Sequence, residues 1–370
     1  MEDRGVISRP LSHALDALRA VTALIVVLGH SRPVGFYVGP FAFPWVMHHA
    51  AVIVFFVLSG FVIANAAQAR ETSLAKFAVA RISRIIPVAW PALLLGTAVW
   101  AFNRSIGGPD IPQDPGYQTG SVASLLYPLV FLSELPQASG PVWNSPYWSL
   151  CYEVWYYALF AAAIFLRGSR RVLWLATLAL LAGFNVLMLM PVWLAGVWLA
   201  RQLPRLTLSP LQGALLVGLG CWFFLLFAGL AEPLLIMTMN KVPIAALNAS
   251  YSRVWLADWL MAPALVAVFA GLGPLAARAA PLLERCAPTI KLLSGSSFTL
   301  YLMHWPVMCL LITLGIQAHS MWTLTLLIAG LQGLAIVGAS LFERRWTPRL
   351  RKALTAAMER RSQAQAQAQA

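Results

Sequence analysis

LDALRAVTALIVVLGH, Leu15–His30, decides the fold. It is a continuous apolar run, long enough with its flanks to cross a bilayer as a helix, yet it carries Asp16, Arg19 and His30. At 100° per residue Arg19 and His30 fall within about 20° of each other, three turns and about 16 Å apart along the axis. Asp16 lies one turn before Arg19, close enough to neutralise it. Ionisable groups at membrane depth are costly and face a bundle interior or a wet cavity. The plainer alternative is a snorkelling ion pair with a histidine at the water interface.

The rest of the composition agrees. The 370 residues are 60% hydrophobic and only 11% charged, with a mean hydropathy of +0.73; soluble domains run near 25% charged. The net charge of +13 does not read as nucleic-acid binding, because the basic residues alternate between loops, as membrane topology requires. Cys151, Cys221, Cys286 and Cys309 are scattered without metal-ligand or redox spacing and read as small buried hydrophobes. No metal site is expected. The polar first ten residues, followed by Asp16 and Arg19, do not read as a cleavable signal peptide.

Ten candidate spans follow, at about 12–30, 46–67, 85–102, 148–166, 171–187, 189–203, 209–231, 255–276, 293–316 and 321–342. The fifth and sixth are short and share a tight turn near Met190 and Pro191. Continuous apolar runs favour helices over a barrel, so the expected fold is all-α and polytopic. With both termini cytoplasmic, all of the 26 basic residues except Arg32, Arg104, Lys241 and Arg253 fall on the inner side. Residues 1–345 then form one transmembrane domain, and 346–370 a basic, then low-complexity tail whose end, SQAQAQAQA, reads as disordered. The long outer connection 103–147, with Gly107, Gly108, Pro109, Pro112, Pro115, Gly116, Asp110, Asp114 and Glu134, suits a lid or a plain connector; its apolar part, Val122–Leu132, suits a surface or re-entrant segment. With no soluble catalytic domain expected, any chemistry must use the bundle and its short loops.

Several polar residues then stand out. In FFVLSGFVIAN, Phe55–Asn65, Ser59 and Gly60 form a close-packing seam or a binding spot. In RISRIIP, read as the loop entering the third span, Arg81 and Arg84 share a face and suit either phosphate oxygens or lipid head groups. In YWSLCYEVWYY, Glu153 lies close to the depth of His30, where a carboxylate and an imidazole can pair. Its aromatic neighbours fit an interfacial belt or a sugar-stacking surface. In SGSSFTLYLMHWP, Ser297, Tyr301 and His304 form one stripe before Pro306, with His304 expected near mid-membrane. His48 and His49 open the second span at the outer interface.

Together and in this order, the Arg19-to-His30 spacing, FFVLSGFVI, RISRIIP, WSLCYEVWYY and SFTLYLMHWP resemble the membrane-bound acyltransferase family 3, bacterial O-acyltransferases of cell-surface and exported sugars. The resemblance implies a ten-helix bundle in the bacterial inner membrane. It would move an acyl group, often acetyl, from cytoplasmic acyl-CoA to a saccharide hydroxyl, with no permanently bound cofactor and no nucleic-acid partner. It maps the first-helix pair onto Arg19 and His30, the inner-face pair onto Arg81 and Arg84, and the glutamate after the Trp-Ser-Leu run onto Glu153. Two departures stand out: no extra hydrolase-like domain is evident, and a Glu-Arg-Pro ending is replaced by Phe342-Glu343-Arg344-Arg345-Trp346, so Glu343 is assigned nothing. The expected mechanism has His30 as general base, oriented by Glu153, with Arg81 and Arg84 on CoA phosphates and Arg19, balanced by Asp16, along the donor channel. The rival is a proton-coupled transporter or glycan-precursor flippase using His30, Glu153 and His304 as a relay, although no internal repeat pairs the two halves.

Overall fold

A computed structural model describes residues 7–41, 43–112, 121–134, 140–239 and 251–369. Asp114, Pro115, Gly116, Lys241 and Arg4 lie outside them. Thirteen helices account for nearly all of the described chain: α1 Arg9–Ser31, α2 Trp45–Ala69, α3 Leu74–Ser105, α4 Val122–Leu129, α5 Trp148–Phe165, α6 Gly168–Gln202, α7 Pro210–Gly229, α8 Ala231–Met239, α9 Trp255–Arg278, α10 Ala280–Ser294, α11 Ser297–Thr313, α12 Met321–Leu341 and α13 Thr347–Gln369. Among the described residues there is no strand, only an isolated bridge between Tyr37 and Ala318. Among the described residues, eight helices are long and apolar enough to cross a membrane, nine if α10 and α11, bent by 41°, form one crossing. The protein is an all-α, multi-pass membrane protein.

The α6 run is broken at Gly183, whose φ of 78° and ψ of 169° suit a residue without Cβ. Tyr156 donates to Val186 O (2.9 Å), and Ser252, which is 3.1 Å from the Tyr152 hydroxyl, donates to Asn185 O (2.7 Å), so the second leg starts beside the first half of α5. Seven residues later Trp193 packs on Tyr157 and Phe160, deeper along α5. The second leg therefore runs with α5, and the first, which follows α5 after Leu166, climbs back against it. These legs are the two short spans read from sequence. The turn lies at Gly183, not at Met190–Pro191, and Pro191 sits inside the second leg.

Two other boundaries differ from the sequence reading, as does the exposure of two cysteines. Helix α3 starts at Leu74, with Ser73 capping Lys76 N, so RISRIIP is helix and not an entering loop; a proline with helical turns before it bends a helix without having to begin it. The α13 helix continues to Gln369, because alternating Gln and Ala both favour helix and extend one already nucleated. Cys151 and Cys309 are buried as expected, but Cys221 and Cys286 are exposed. Val122–Leu132 folds as α4 and its exit, clamped by indole and phenol groups: Trp90 donates to Leu129 O (3.2 Å), Tyr147 to Pro128 O (3.0 Å) and Trp155 to Phe131 O (3.2 Å).

The seam between α2 and α6 fixes the centre. A Cβ at Gly60 would lie 2.0 Å from Trp193 O, and one at Gly196 2.0 Å from Val57 O. Only hydrogen at both positions lets the backbones come this close, the small-residue packing that membrane helices use in place of a hydrophobic drive. At Ser59-Gly60 the packing seam read from the sequence is present through Gly60, while Ser59 faces a cavity.

Candidate active site

A cavity of about 970 Å³ enters the bundle between α1, α2, α5 and α11. Its mouth is formed by exposed residues, Arg9, Gln68, Arg70 and Arg84 among them; this is the arginine end. Arg19 lines it one step deeper, bonded to Asp16 as the spacing indicates. Its blind end is closed by Phe55, Ser149 and Tyr301. Four guanidiniums on one apolar-walled channel suit an anionic head group with a tail directed inward.

Arg81, three residues from Arg84, is not among the lining residues. Its guanidinium bonds Glu71 and sits over the rings of Phe77 (5.4 Å) and Tyr157 (5.7 Å). The pair read from sequence is divided: Arg84 faces the cavity, while Arg81 braces the wall behind it.

Glu153 lies midway along the cavity. Ser59 and Tyr157 both donate to its Oε1, and Trp193 donates to Ser59 Oγ (3.2 Å). It does not meet His30. The two are not level: His48 packs on His30, whereas Ser59, which bonds Glu153, lies eleven residues further along α2, about 16 Å away at the helical rise. Glu153 turns toward α2 and the arginine end, where two hydroxyls claim it.

His30 is paired instead with His304: Nδ1 and Nε2 are 3.0 Å apart and the rings lie 15° from parallel. His48 packs against the same ring at a 43° tilt, 4.4 Å between centroids, and Trp305 meets it edge-on at 5.2 Å. Gly29 makes room, since a Cβ there would lie 2.5 Å from His48 Cβ. His304 is therefore level with His30, not at mid-membrane. The reason is α10, an amphipathic helix packed along α1. The α10–α11 path and α1 both start at the arginine end, so His304 and His30 arrive together. Loop contacts then lock the histidine end: Gln317 donates to Gly35 O (2.7 Å), and Arg32 to Gly39 O and Phe41 O (both 3.0 Å).

Pro306 leaves Leu302 O without its usual helical donor, and Asn144 supplies one through Nδ2 (3.1 Å). Next to His48, His49 bonds Asp258 Oδ1 at 2.8 Å, both side chains buried.

The cavity and the histidine cluster are separated by one ring layer. Tyr301 bonds Ser149 Oγ (2.5 Å) and Pro146 O (3.2 Å) and meets Phe55 edge-on at 5.7 Å. On its far side its ring is 6.2 Å from that of His304.

A family model described as an acyltransferase domain, acyltransferase family 3, matches residues 12–344, nearly the whole chain. The chain belongs to acyltransferase family 3. No curated protein and no solved structure matches it. It is a membrane acyltransferase.

In this acyltransferase the structure brings Asp16, Arg19, Ser59, Arg84, Glu153 and Tyr301 onto one cavity, and His30 and His304 onto each other behind it. Sequence reasoning missed Arg9 and Arg70 at the mouth, which looked like ordinary positive-inside residues, and Phe55 in the dividing layer. It also left Glu343 without a role. Glu343 sits on a π-helical turn, Phe342–Trp346, and accepts from Thr299 N (3.2 Å) and Oγ1 (2.6 Å). It thereby caps the first turn of α11, the helix that carries Tyr301 and His304. A carboxylate followed by arginines directly after the last apolar span was the available signal.

Proposed function

We propose that this acyltransferase moves an acyl group, acetyl in the simplest case, from acyl-CoA to a saccharide hydroxyl. One observation carries the reading: an arginine-mouthed cavity that ends one ring layer from a buried histidine pair. The donor's phosphates would meet Arg9, Arg70 and Arg84, with Arg19 further in, and the pantetheine arm would follow the apolar walls toward Phe55 and Tyr301. The arginine end is then cytoplasmic, both termini with it, and the membrane is the bacterial inner membrane. The loop asymmetry of basic residues supports that orientation. The domain is residues 1–345, with the basic tail outside it.

The chemistry needs one base and one leaving-group acid. His30 Nε2 takes the proton of the acceptor hydroxyl as its oxygen forms a bond to the thioester carbon. The tetrahedral intermediate collapses with loss of the C–S bond, and the thiolate takes that proton back from His30. Ester and free CoA thiol result, with no net proton change. For the thioester to reach His30 the Tyr301 layer must move aside during turnover. Glu153, with Ser59 and Tyr157, holds a polar point halfway along the donor path; its role here is to orient the arm, not the imidazole.

The test is transfer from radiolabelled acetyl-CoA to glycans in membranes carrying wild type or His30→Gln. Label in glycan from wild type, with a loss of about 100-fold or more in the variant at equal membrane content, supports the proposal. Unchanged labelling in the variant removes His30 as the base. No label from wild type removes the donor.

A further inference from the structure

We infer that His304 is the positioning residue that sets the tautomer of His30 and leaves its Nε2 free as the base. The inference rests on the reading of His30 as base, and goes beyond it by fixing which ring nitrogen works and why.

The argument follows the protons. His304 Nδ1 lies 2.8 Å from Tyr301 O and 3.2 Å from Leu300 O. A carbonyl oxygen only accepts, so Nδ1 carries the hydrogen. A neutral imidazole has one N–H, which leaves His304 Nε2 a bare acceptor. Its partner at 3.0 Å is His30 Nδ1, which must therefore donate. The lone pair of neutral His30 is then on Nε2, the outer nitrogen. This is the arrangement a carboxylate imposes in a Ser-His-Asp triad, here imposed by a second imidazole anchored to its own helix backbone. The pair is held from three sides. His48 and Trp305 pack the His30 ring, Asn144 closes the carbonyl that Pro306 leaves open on α11, and Glu343 caps the start of the same helix.

The obvious substitute, His304→Phe, keeps a ring and removes the acceptor. His304→Gln restores one, because an extended glutamine places Oε1 about where Nε2 stood. Two readouts apply to the detergent-purified full chain. Histidine-labelled protein, with six histidines to resolve and His30→Ala to assign the signal, reports the His30 tautomer through its ring carbon and nitrogen shifts. Expected is the Nδ1–H form in wild type and in His304→Gln, and the Nε2–H form or an average in His304→Phe. Steady-state transfer from acetyl-CoA reports the consequence. His304→Phe should lower kcat about 100-fold with KM for the donor within about twofold, and His304→Gln should recover to within about tenfold of wild type.

An Nε2–H tautomer in wild type overturns the inference. So does a His304→Phe enzyme with unchanged kcat, one whose loss appears in KM, or a His304→Gln enzyme as slow as His304→Phe. If wild type transfers nothing from acetyl-CoA, the donor proposal fails while the tautomer measurement still decides the role of His304.

Discussion

Tyr301→Phe removes only the hydroxyl that ties the dividing layer shut. That hydroxyl bonds Ser149 Oγ at 2.5 Å and Pro146 O at 3.2 Å, while Ser149 keeps its own bond to Pro146 O at 3.3 Å. The variant therefore loses two contacts, but the remaining serine stays partnered. At a net value of about 0.5–1.5 kcal/mol for each buried neutral hydrogen bond, the closed position of the ring loses about 1–3 kcal/mol. That corresponds to a rise in the open population of between roughly 5-fold and somewhat over 100-fold. The ring itself remains, and its edge contact with Phe55 at 5.7 Å is unchanged, so the fold should survive. An opened layer exposes a bound thioester to water at the histidine end. The expected result is faster release of CoA thiol in the absence of any acceptor, measured with a thiol reagent on purified enzyme, by about tenfold. Phe55→Ala should act in the same direction. A Tyr301→Phe enzyme that releases thiol no faster than wild type, at equal donor saturation, refutes the idea that Tyr301 divides donor from base.

Arg84→Ala should raise KM for acetyl-CoA about tenfold with a smaller change in kcat, and the defect should shrink with a dephosphorylated donor analogue, since one charge-assisted contact is worth about 1.5–3 kcal/mol. Glu343→Ala should lower the thermal midpoint, because α11 loses a cap worth about 1 kcal/mol; circular dichroism melts of Glu343→Ala and Glu343→Gln check this, the glutamine being expected to retain part of the bond. Gly60→Leu should fail to yield folded protein, since a Cβ at Gly60 already lies 2.0 Å from Trp193 O and the clash is with backbone; size-exclusion chromatography of the purified variant reads the outcome.

Much of this arrangement was legible in the sequence because membrane helices leave few choices. Apolar runs gave the helices, and the Asp16–Arg19 spacing gave an ion pair that the structure contains. The glycine at 60 declared a close approach through its neighbours. Other features depend on long-range choices that no local pattern encodes. Glu153 looked level with His30, yet it meets the hydroxyls of Ser59 and Tyr157, and Ser59 lies eleven residues along α2 from the His48 that packs on His30. His304 falls at the centre of a span read as 293–316, which points to mid-membrane; the packing of α10 along α1 is what brings α11 in where His304 meets His30. Arg81 and Arg84 share a face, yet Glu71 lies behind that face and takes one of them. The turn at Gly183 was hidden because Pro191 is the louder breaker in the sequence, while the backbone needs positive φ eight residues earlier.

The most direct measurement is a cryo-EM map of the protein with a thioether analogue of acetyl-CoA, which binds but cannot transfer. The account predicts phosphate density against Arg9, Arg70 and Arg84, the arm passing Glu153, and the acetyl carbon at the Tyr301 layer facing His30. Analogue density lying outside the cavity, or entering from the histidine end, would contradict it.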